Sequence, residues 1–367
     1  MATLAADHAA TLGAGARAIG ERNWRMAAIA MLSVRCIQGF IYWGGGSRRF
    51  IYAPSKLDWT QPTWMANKFQ SAMPGALLGL DHVIAWMLQH FWALYAGVIL
   101  FSGAELIAGA ALIAGLMTRL AALVSMGFSV LLMLMFGWQG ATCIDEWTMA
   151  AANLAMGATL FLAGSGAYSL DNVMLRRNPA LAGRGWFRWG AGSLPLPMRD
   201  GWFATLGLVV LAGVLAFDIS TYSYYRGSVI GPFHSGPTSP TKHHFTLTQG
   251  ALLPDGSVRF HVYLDAGTPE APAHVMTAAL LGADGKPFAT WNTQALSHLP
   301  PPAIVNDFAY NRFKTGPFGI FAEMGAMATI TLPPPEGTQL APAEPLTLKL
   351  TDVNGRSFVG KIEAANR

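Results

Sequence analysis

RCIQGFIYWGGGSRRFIYAPSKLD, residues 35–58, decides how the rest of the chain is read. It starts inside an apolar run that Arg35 interrupts, leaves that run through Tyr42 and Trp43, and reaches the triplet Gly44-Gly45-Gly46, which predicts a turn. Arg48 and Arg49 follow at once. An arginine inside a membrane span is costly and marks a functional site by default. Two more on a glycine-rich turn just beyond it predict an anion site at a membrane surface.

Composition supports the membrane reading. Hydrophobic residues make up 52% of the 367 and charged residues 12%, against about 25% charged in a typical globular chain, and mean hydropathy is +0.35. The length accommodates one membrane domain and one further domain. The two cysteines form no Cys-x-x-Cys and no Cys-x-x-Cys-His, which argues against zinc, c-type haem and iron–sulfur sites built from them. No Gly-x-Gly-x-x-Gly opens a strand–helix unit, so no Rossmann nucleotide site is expected. A net charge of +4 is too small to point to nucleic acid.

Residues 26–43 have the look of a signal peptide, but the arginine in their middle and Arg48-Arg49 directly after argue for a retained first helix. Further apolar runs at about 91–117, 120–138, 147–163 and 202–217 each come near the roughly 20 residues that cross a hydrocarbon core. Basic residues then set the orientation. With the N-terminus inside, Arg17, Arg22, Arg25, Arg119, Arg176, Arg177, Arg184, Arg188 and Arg199 collect on the cytoplasmic side. Arg48, Arg49, Lys56 and Lys68 lie outside, partly offset by Asp58 and Asp81. Five spans from an inner N-terminus put everything after Phe217 outside.

The loop of residues 44–89 is long and rich in Trp, Pro and Asn, as binding segments and interfacial caps are. In the second span Glu105 sits among Ser102, Gly103, Ala104, Ala108 and Gly109, small residues that allow close helix contact. At about 1.5 Å rise per residue, Arg35 lies about 12 Å below Trp43 and Glu105 about 21 Å below Phe91, so the two are candidates for a buried pair. The methionines Met126, Met133 and Met135 of the third span read as packing. The turn that follows, GWQGATCIDEW from Gly137 to Trp147, gathers Cys143, Asp145, Glu146 and two tryptophans. Cys143 reads either as a reactive thiol or as a small residue in a tight turn. Cys36 reads as packing, and a Cys36–Cys143 disulfide is compatible with the sequence. The arginine-rich segment 171–199 suits anionic lipid headgroups. Beyond His243, alternating runs such as SVRFHVYLD and LTLKLTD, separated by Pro254-Asp255-Gly256, Asp284-Gly285-Lys286 and Asn354-Gly355, predict an all-β sandwich. The six histidines of residues 219–367, His243, His244 and His261 among them, read as exposed or strand-face residues rather than copper ligands.

The segments WGGGSRRFIYAPSKLDW, ANKFQSAMPGALLGLDHVI and GWQGATCIDEWTMAAANLAMGATLFLAGSGAYSLDN resemble DoxD, and NRFKTGPFGIFAEMGAMATITLP resembles DoxA. Together the two halves are similar to thiosulfate:quinone oxidoreductase of the DoxD/DoxA type in a fused form. That resemblance implies a four-helix DoxX-like bundle plus a fifth transmembrane helix, with a C-terminal all-β, Ig-like sandwich. The expected parts are a tail at 1–23, a membrane domain at 24–172, a basic loop at 173–201, the fifth helix at 202–218 and the β domain at 219–367.

The reaction implied joins two thiosulfates into tetrathionate and passes two electrons to a membrane quinone such as ubiquinone. Thiosulfate is a dianion, and two must meet, so clustered cations are what the step requires. Arg48 and Arg49 are expected at the substrate, with Lys56 in support. Arg35 either receives substrate or polarises a quinone carbonyl, and Trp43, Trp138 and Glu105 are expected to complete the quinone slot. Cys143 is expected as the catalytic thiolate, favoured by nearby arginines. It would add to the quinone, be displaced by one thiosulfate and be resolved by a second. Asp145, Glu146 or Glu105 would handle protons. The alternative is direct coupling of two anions held by arginines, with Cys143 structural. Lys242, Arg312 and Lys314 are weaker substrate candidates in the β domain. The expected partners are thiosulfate, quinone and the lipid bilayer of a bacterial inner membrane; a homo-oligomer is compatible with the sequence. A non-enzymatic scaffold and an anion transporter are the rival readings, the latter lacking a visible inverted repeat.

Overall fold

The apolar run around Arg35 folds as one long helix, α1 (Ala2–Ser47), which continues as a π-helical turn over Arg48–Tyr52. The computed structural model describes residues 2–52, 54–140, 145–227, 231–234, 236–334 and 346–364. Gly44-Gly45-Gly46, expected to turn the chain, lie inside α1 instead. The reason is packing against α4 (Phe91–Ala114). A Cβ at Gly46 would come within 2.7 Å of the Leu106 Cβ, and one at Gly39 within 2.8 Å of the Ile113 backbone nitrogen. On the other side, a Cβ at Gly109 would collide with the Trp43 backbone. These glycines are spacers that let two helix backbones touch, as small residues do in membranes.

Two short helices follow α1 in the long connection, α2 (Met65–Ala72) and α3 (Leu80–Gln89). After α4 come α5 (Thr118–Phe136), α6 (Glu146–Ala163), α7 (Leu170–Arg177), α8 (Gly185–Gly190) and α9 (Asp200–Arg226). Among the described residues, four stretches are long and apolar enough to cross a membrane: Ala18–Tyr52, Phe91–Ala114, Thr118–Phe136 and Asp200–Arg226. The expected fourth span is helix α6, 18 residues and so about 27 Å long. With Asn153 and Glu146 in it, α6 does not reach the apolarity of the others. It buries Ala150, Leu154, Gly157 and Leu160, and a helix enclosed by its neighbours has less need of an apolar surface.

The chain divides into two units, one of Met1–Leu57, Gly97–Leu132 and Thr148–Ser220, the other of Asp58–Ala96, Met133–Trp147 and Thr221–Arg367. In the first, Asp171 is the hub. Its carboxylate is fully buried and accepts from the Met117, Thr118 and Gly192 amides and from the Thr118 and Ser165 hydroxyls. Arg119, counted from sequence among the cytoplasmic charges, is also buried; it donates to the Phe161, Ala191 and Leu194 carbonyls at 3.0, 2.6 and 2.8 Å. Arg176, Arg177, Arg184 and Arg199 are exposed, as are Trp186 and Trp189.

In the second unit the expected β domain forms, among the described residues, from ten strands: β1 (His244–Leu252), β2 (Val258–Ala266), β3 (Ala273–Leu281), β4 (Pro287–Trp291), β5 (Ile304–Asn306), β6 (Phe313–Gly316), β7 (Gly319–Ala322), β8 (Met327–Leu332), β9 (Leu346–Asp352) and β10 (Ser357–Ala364). They make one sheet in the order β5-β8-β2-β1-β10-β9-β3-β7-β6, with β4 also on β3. Pairing is antiparallel except between β1 and β10. Alternate residues of β2 point inward, and Phe260, Val262 and Leu264 fill the core with Val275, Leu280, Ile330, Leu348 and Leu350. The sheet curls until its edges nearly meet: Asn306 on β5 donates to the Phe313 carbonyl of β6 and accepts from its amide, at 3.0 and 2.7 Å.

The part of the connection between α1 and α4 that belongs to this unit, residues 58–90 of the expected cap or binding loop, packs against the β domain. Gln70 of α2 donates to the Asn311 and Gly325 carbonyls at 2.9 and 3.0 Å and accepts from the Asn311 amide at 2.9 Å. Asn311 in turn donates to the Asn67 and Met324 carbonyls at 3.0 and 2.7 Å. Gln70 and Asn311 are both buried.

Candidate functional site

Positions 35, 38, 42, 45 and 49 of the chain are spaced by three or four residues, which puts them on one face of a continuous helix. That face is polar and buried: Arg35, Gln38, Tyr42 and Arg49 are all at most 9% exposed. Its ends differ in chemistry. At the Arg35 end, the guanidinium donates to the Ser165 and Tyr168 carbonyls at 3.3 and 2.9 Å, and lies against Gly115. Arg35 therefore ties down the turns on either side of α5 and α6 and does not pair with Glu105.

The partner of Glu105 is Arg49, which forms an ion pair with it. Because α1 does not turn at the glycines, it carries Arg49 far enough along α4 to meet this carboxylate, and Gly45 leaves room for it; a Cβ there would strike Glu105 Oε1. Lys56 lies close enough to act on the Glu105 charge, and Arg48 is exposed beside Arg49. Two buried donors accompany the pair without an acceptor among the described residues, Arg49 Nε and the Ser102 hydroxyl, one helical turn before Glu105. Each leaves about 1–3 kcal/mol of desolvation uncompensated. Trp43 is half-buried on α1, with its backbone against Gly109.

The other expected residues belong to the second unit. Asp145 is buried and pairs with Arg226, whose guanidinium also donates to the Gly140 carbonyl at 2.9 Å. One cation thus holds Gly140 and Asp145 together; Cys143, between them in sequence, lies outside the described residues. Glu146 pairs with Lys68 at 3.0 Å. Trp138 is fully buried, its indole N–H on the Ala72 carbonyl at 2.9 Å and its ring over Gly75. That ring is therefore part of the packing of its unit, not an open rim. Cys36 carries a free thiol. Lys314 meets Glu323 at 3.6 Å, while His244, His261 and His243 go separately to Asp265, Asp307 and the Thr268 carbonyl.

This unit also has an open cavity of about 450 Å³ lined by Met73, Asp81, His82, Ala85, Trp86, Gln89, Tyr263 and Met327. Burial, with Asp265 and Asp81 adding to it, pushes the Tyr263 phenol above its usual range, so it stays protonated at neutral pH.

Sequence reasoning did not single out Gln38, Asn153 or Asp171, and read Ser102 only as a small residue at a helix contact. The signal for Gln38 was available, since it sits three residues from Arg35 on the same helix face as Tyr42. Asp171 stood in the quoted segment SGAYSLDN, but only the fold brings three backbone amides onto it.

A family model described as TQO small subunit DoxD matches residues 30–186, and one described as TQO small subunit DoxA matches residues 225–360. No solved structure matches the chain. The buried Arg35, Arg49 and Arg119 thus fall within the first match, and strands β1 to β9 with the first half of β10 within the second, in that order along one polypeptide. The chain belongs to the DoxD/DoxA family of thiosulfate:quinone oxidoreductases, with the two small subunits fused.

Proposed function

We propose that this protein oxidises two thiosulfates to tetrathionate and passes the two electrons to a membrane quinone. The observation that carries the reading is the buried Arg49–Glu105 pair, with Lys56 and exposed Arg48 beside it. A dianion that must meet a second dianion needs fixed, geometrically defined cations, and a guanidinium clamped by a carboxylate is one. Arg48 and Lys56 would take the incoming anions. Arg49, held by Glu105, would orient them. Arg35, with two of its three nitrogens on backbone carbonyls, serves the bundle's construction in this reading.

The residues around the pair also fit a quinone. Its carbonyl oxygens accept hydrogen bonds, and Arg49 Nε and the Ser102 hydroxyl are buried donors without an acceptor among the described residues. Arg49, Ser102 and the half-buried Trp43 would hold it, and Glu105 is placed to exchange a proton there. When bound, the quinone supplies a sink for two electrons and two protons. Cys143 is proposed as a catalytic thiolate, supported by its place in sequence between Gly140 and Asp145, which one cation holds. The distribution of basic residues supports an inner-membrane protein with a cytoplasmic N-terminus and a periplasmic β domain.

Purified protein in detergent should reduce a short-chain ubiquinone analogue only when thiosulfate is present, with tetrathionate formed in a one-to-one ratio to quinol. Quinone reduction without thiosulfate dependence, or none at all, would overturn the reading in favour of a scaffold or transporter.

A further inference from the structure

The middle of the polar face of α1 carries chemistry that anion binding does not use. The Gln38 amide donates to the Asn153 carbonyl at 2.8 Å and to the Ser125 hydroxyl at 3.1 Å. A backbone carbonyl can only accept, so this contact fixes which end of the amide is nitrogen. The same holds for Asn153, whose side-chain nitrogen donates to the Met149 carbonyl at 2.9 Å. Each amide is left with a buried oxygen, Gln38 Oε1 and Asn153 Oδ1, that accepts nothing from any described residue. Gln38 is wholly buried and Asn153 is 4% exposed. Bundle cores and lipid chains offer no donors, while a water molecule is small and donates twice.

Between these oxygens and Glu105 lie hydroxyls. The Tyr42 phenol donates to the Ser125 carbonyl at 2.9 Å and shares a hydrogen bond with the Ser129 hydroxyl at 3.1 Å. Ser125, Ser129 and Tyr42 are all buried, and Gly45, against which the Glu105 carboxylate rests, follows Tyr42 by one helical turn. From Gln38 to Gly45, where the Glu105 carboxylate rests, α1 rises about 10 Å. Two hydroxyls and a phenol lie along that distance.

We propose that Gln38, Asn153, Ser125, Ser129 and Tyr42 hold internal water and form a proton-uptake track leading to Glu105. Its purpose rests on the function proposed above: two thiosulfates, one quinone and two protons give tetrathionate and one quinol, so protons must reach the quinone as electrons do. The S–S bond of tetrathionate forms as two electrons leave, and the two protons delivered along the track complete the quinol hydroxyls.

Two measurements on the full-length protein test this. The first is radiolytic labelling in H₂¹⁸O with mass spectrometry, which marks side chains that have water beside them, without substrate. Tyr42, though buried, should take up the label in the wild-type protein and lose it in Gln38→Leu. An unlabelled wild-type Tyr42 overturns the track whatever the variant does. The second compares thiosulfate-dependent reduction of a quinone analogue with that of ferricyanide, which takes electrons and no protons. Gln38→Leu and Asn153→Leu should slow quinone reduction at least about tenfold and leave ferricyanide reduction unchanged. Equal loss with both acceptors would mean a packing role and sink the proposal. If wild-type protein reduces neither acceptor, the proposed function fails, while the labelling result still decides whether the track exists.

Discussion

Glu105 and Arg49 show what one ion pair demands of its surroundings. Their side chains are 13% and 10% exposed, so each charge has left water and depends on the other. Removing one partner of such a pair leaves an uncompensated buried charge, at a cost of about 3–5 kcal/mol. Glu105→Leu should therefore lower the thermal unfolding temperature in detergent markedly, and adding Arg49→Met should restore much of it. Thiosulfate-dependent quinone reduction should stay lost in both proteins, which separates the pair's structural part from its proposed chemistry. Recovery of activity along with stability in the double variant would remove the pair from the mechanism. For Cys143 the expected result is simpler. Cys143→Ser should fold with an unchanged unfolding temperature and lose quinone reduction; full retained activity would leave direct coupling of two anions held by arginines. Sequence singled out both residues of the pair, yet offered Arg35 as the partner of Glu105. That error has a physical source: which arginine reaches an acid on another helix depends on where the first helix ends.

At the scale of elements, the end of α1 turned on three glycines. Glycine triplets usually break helices because the backbone entropy they release is large, so sequence patterning predicts a turn. Inside a membrane bundle the same residues are selected for close approach, and local propensity yields to packing. The two roles can be told apart along the one helix. Gly39 would place a Cβ 2.8 Å from Ile113, whereas Gly44 meets nothing within 4 Å. Gly39→Ala should destabilise by about 1–3 kcal/mol through overpacking, and Gly44→Ala should be neutral or stabilise by about 0.5–1 kcal/mol through helix propensity. Thermal unfolding of the two variants side by side checks this. The apolar spans were legible because lipid imposes their length and composition on the sequence. The strands were legible from their period of two and their turns. The Asp171 hub was not, since its partners are mostly backbone amides 21 to 54 residues away. Sheet closure through Asn306 was hidden for the same reason, because it joins a side chain to the backbone of another strand.

Across the whole molecule, the two regions of this fused chain are tied by buried polar contacts as well as by the polypeptide. Gln70 lies in the segment ANKFQSAMPG, and Asn311 and Gly325 lie in NRFKTGPFGIFAEMG, segments that resemble DoxD and DoxA respectively. Within the second unit these segments share three hydrogen bonds through the Gln70 amide, and Asn311 adds one back to the Asn67 carbonyl. Hydrophobic burial alone would not fix the register between a short helix and a loop 240 residues later. Directional amide contacts do, because each mispairing leaves a buried donor or acceptor without a partner. At about 0.5–1.5 kcal/mol net per hydrogen bond, Gln70→Leu should cost about 2–4 kcal/mol of local stability. Hydrogen–deuterium exchange reads the consequence by region. If the clamp is what holds the segments, protection should fall together in α2 and in the 311–325 stretch, while the helices around Asp171 keep theirs. A loss confined to α2 would show instead that the β domain keeps its own order and only the connecting segment leans on it.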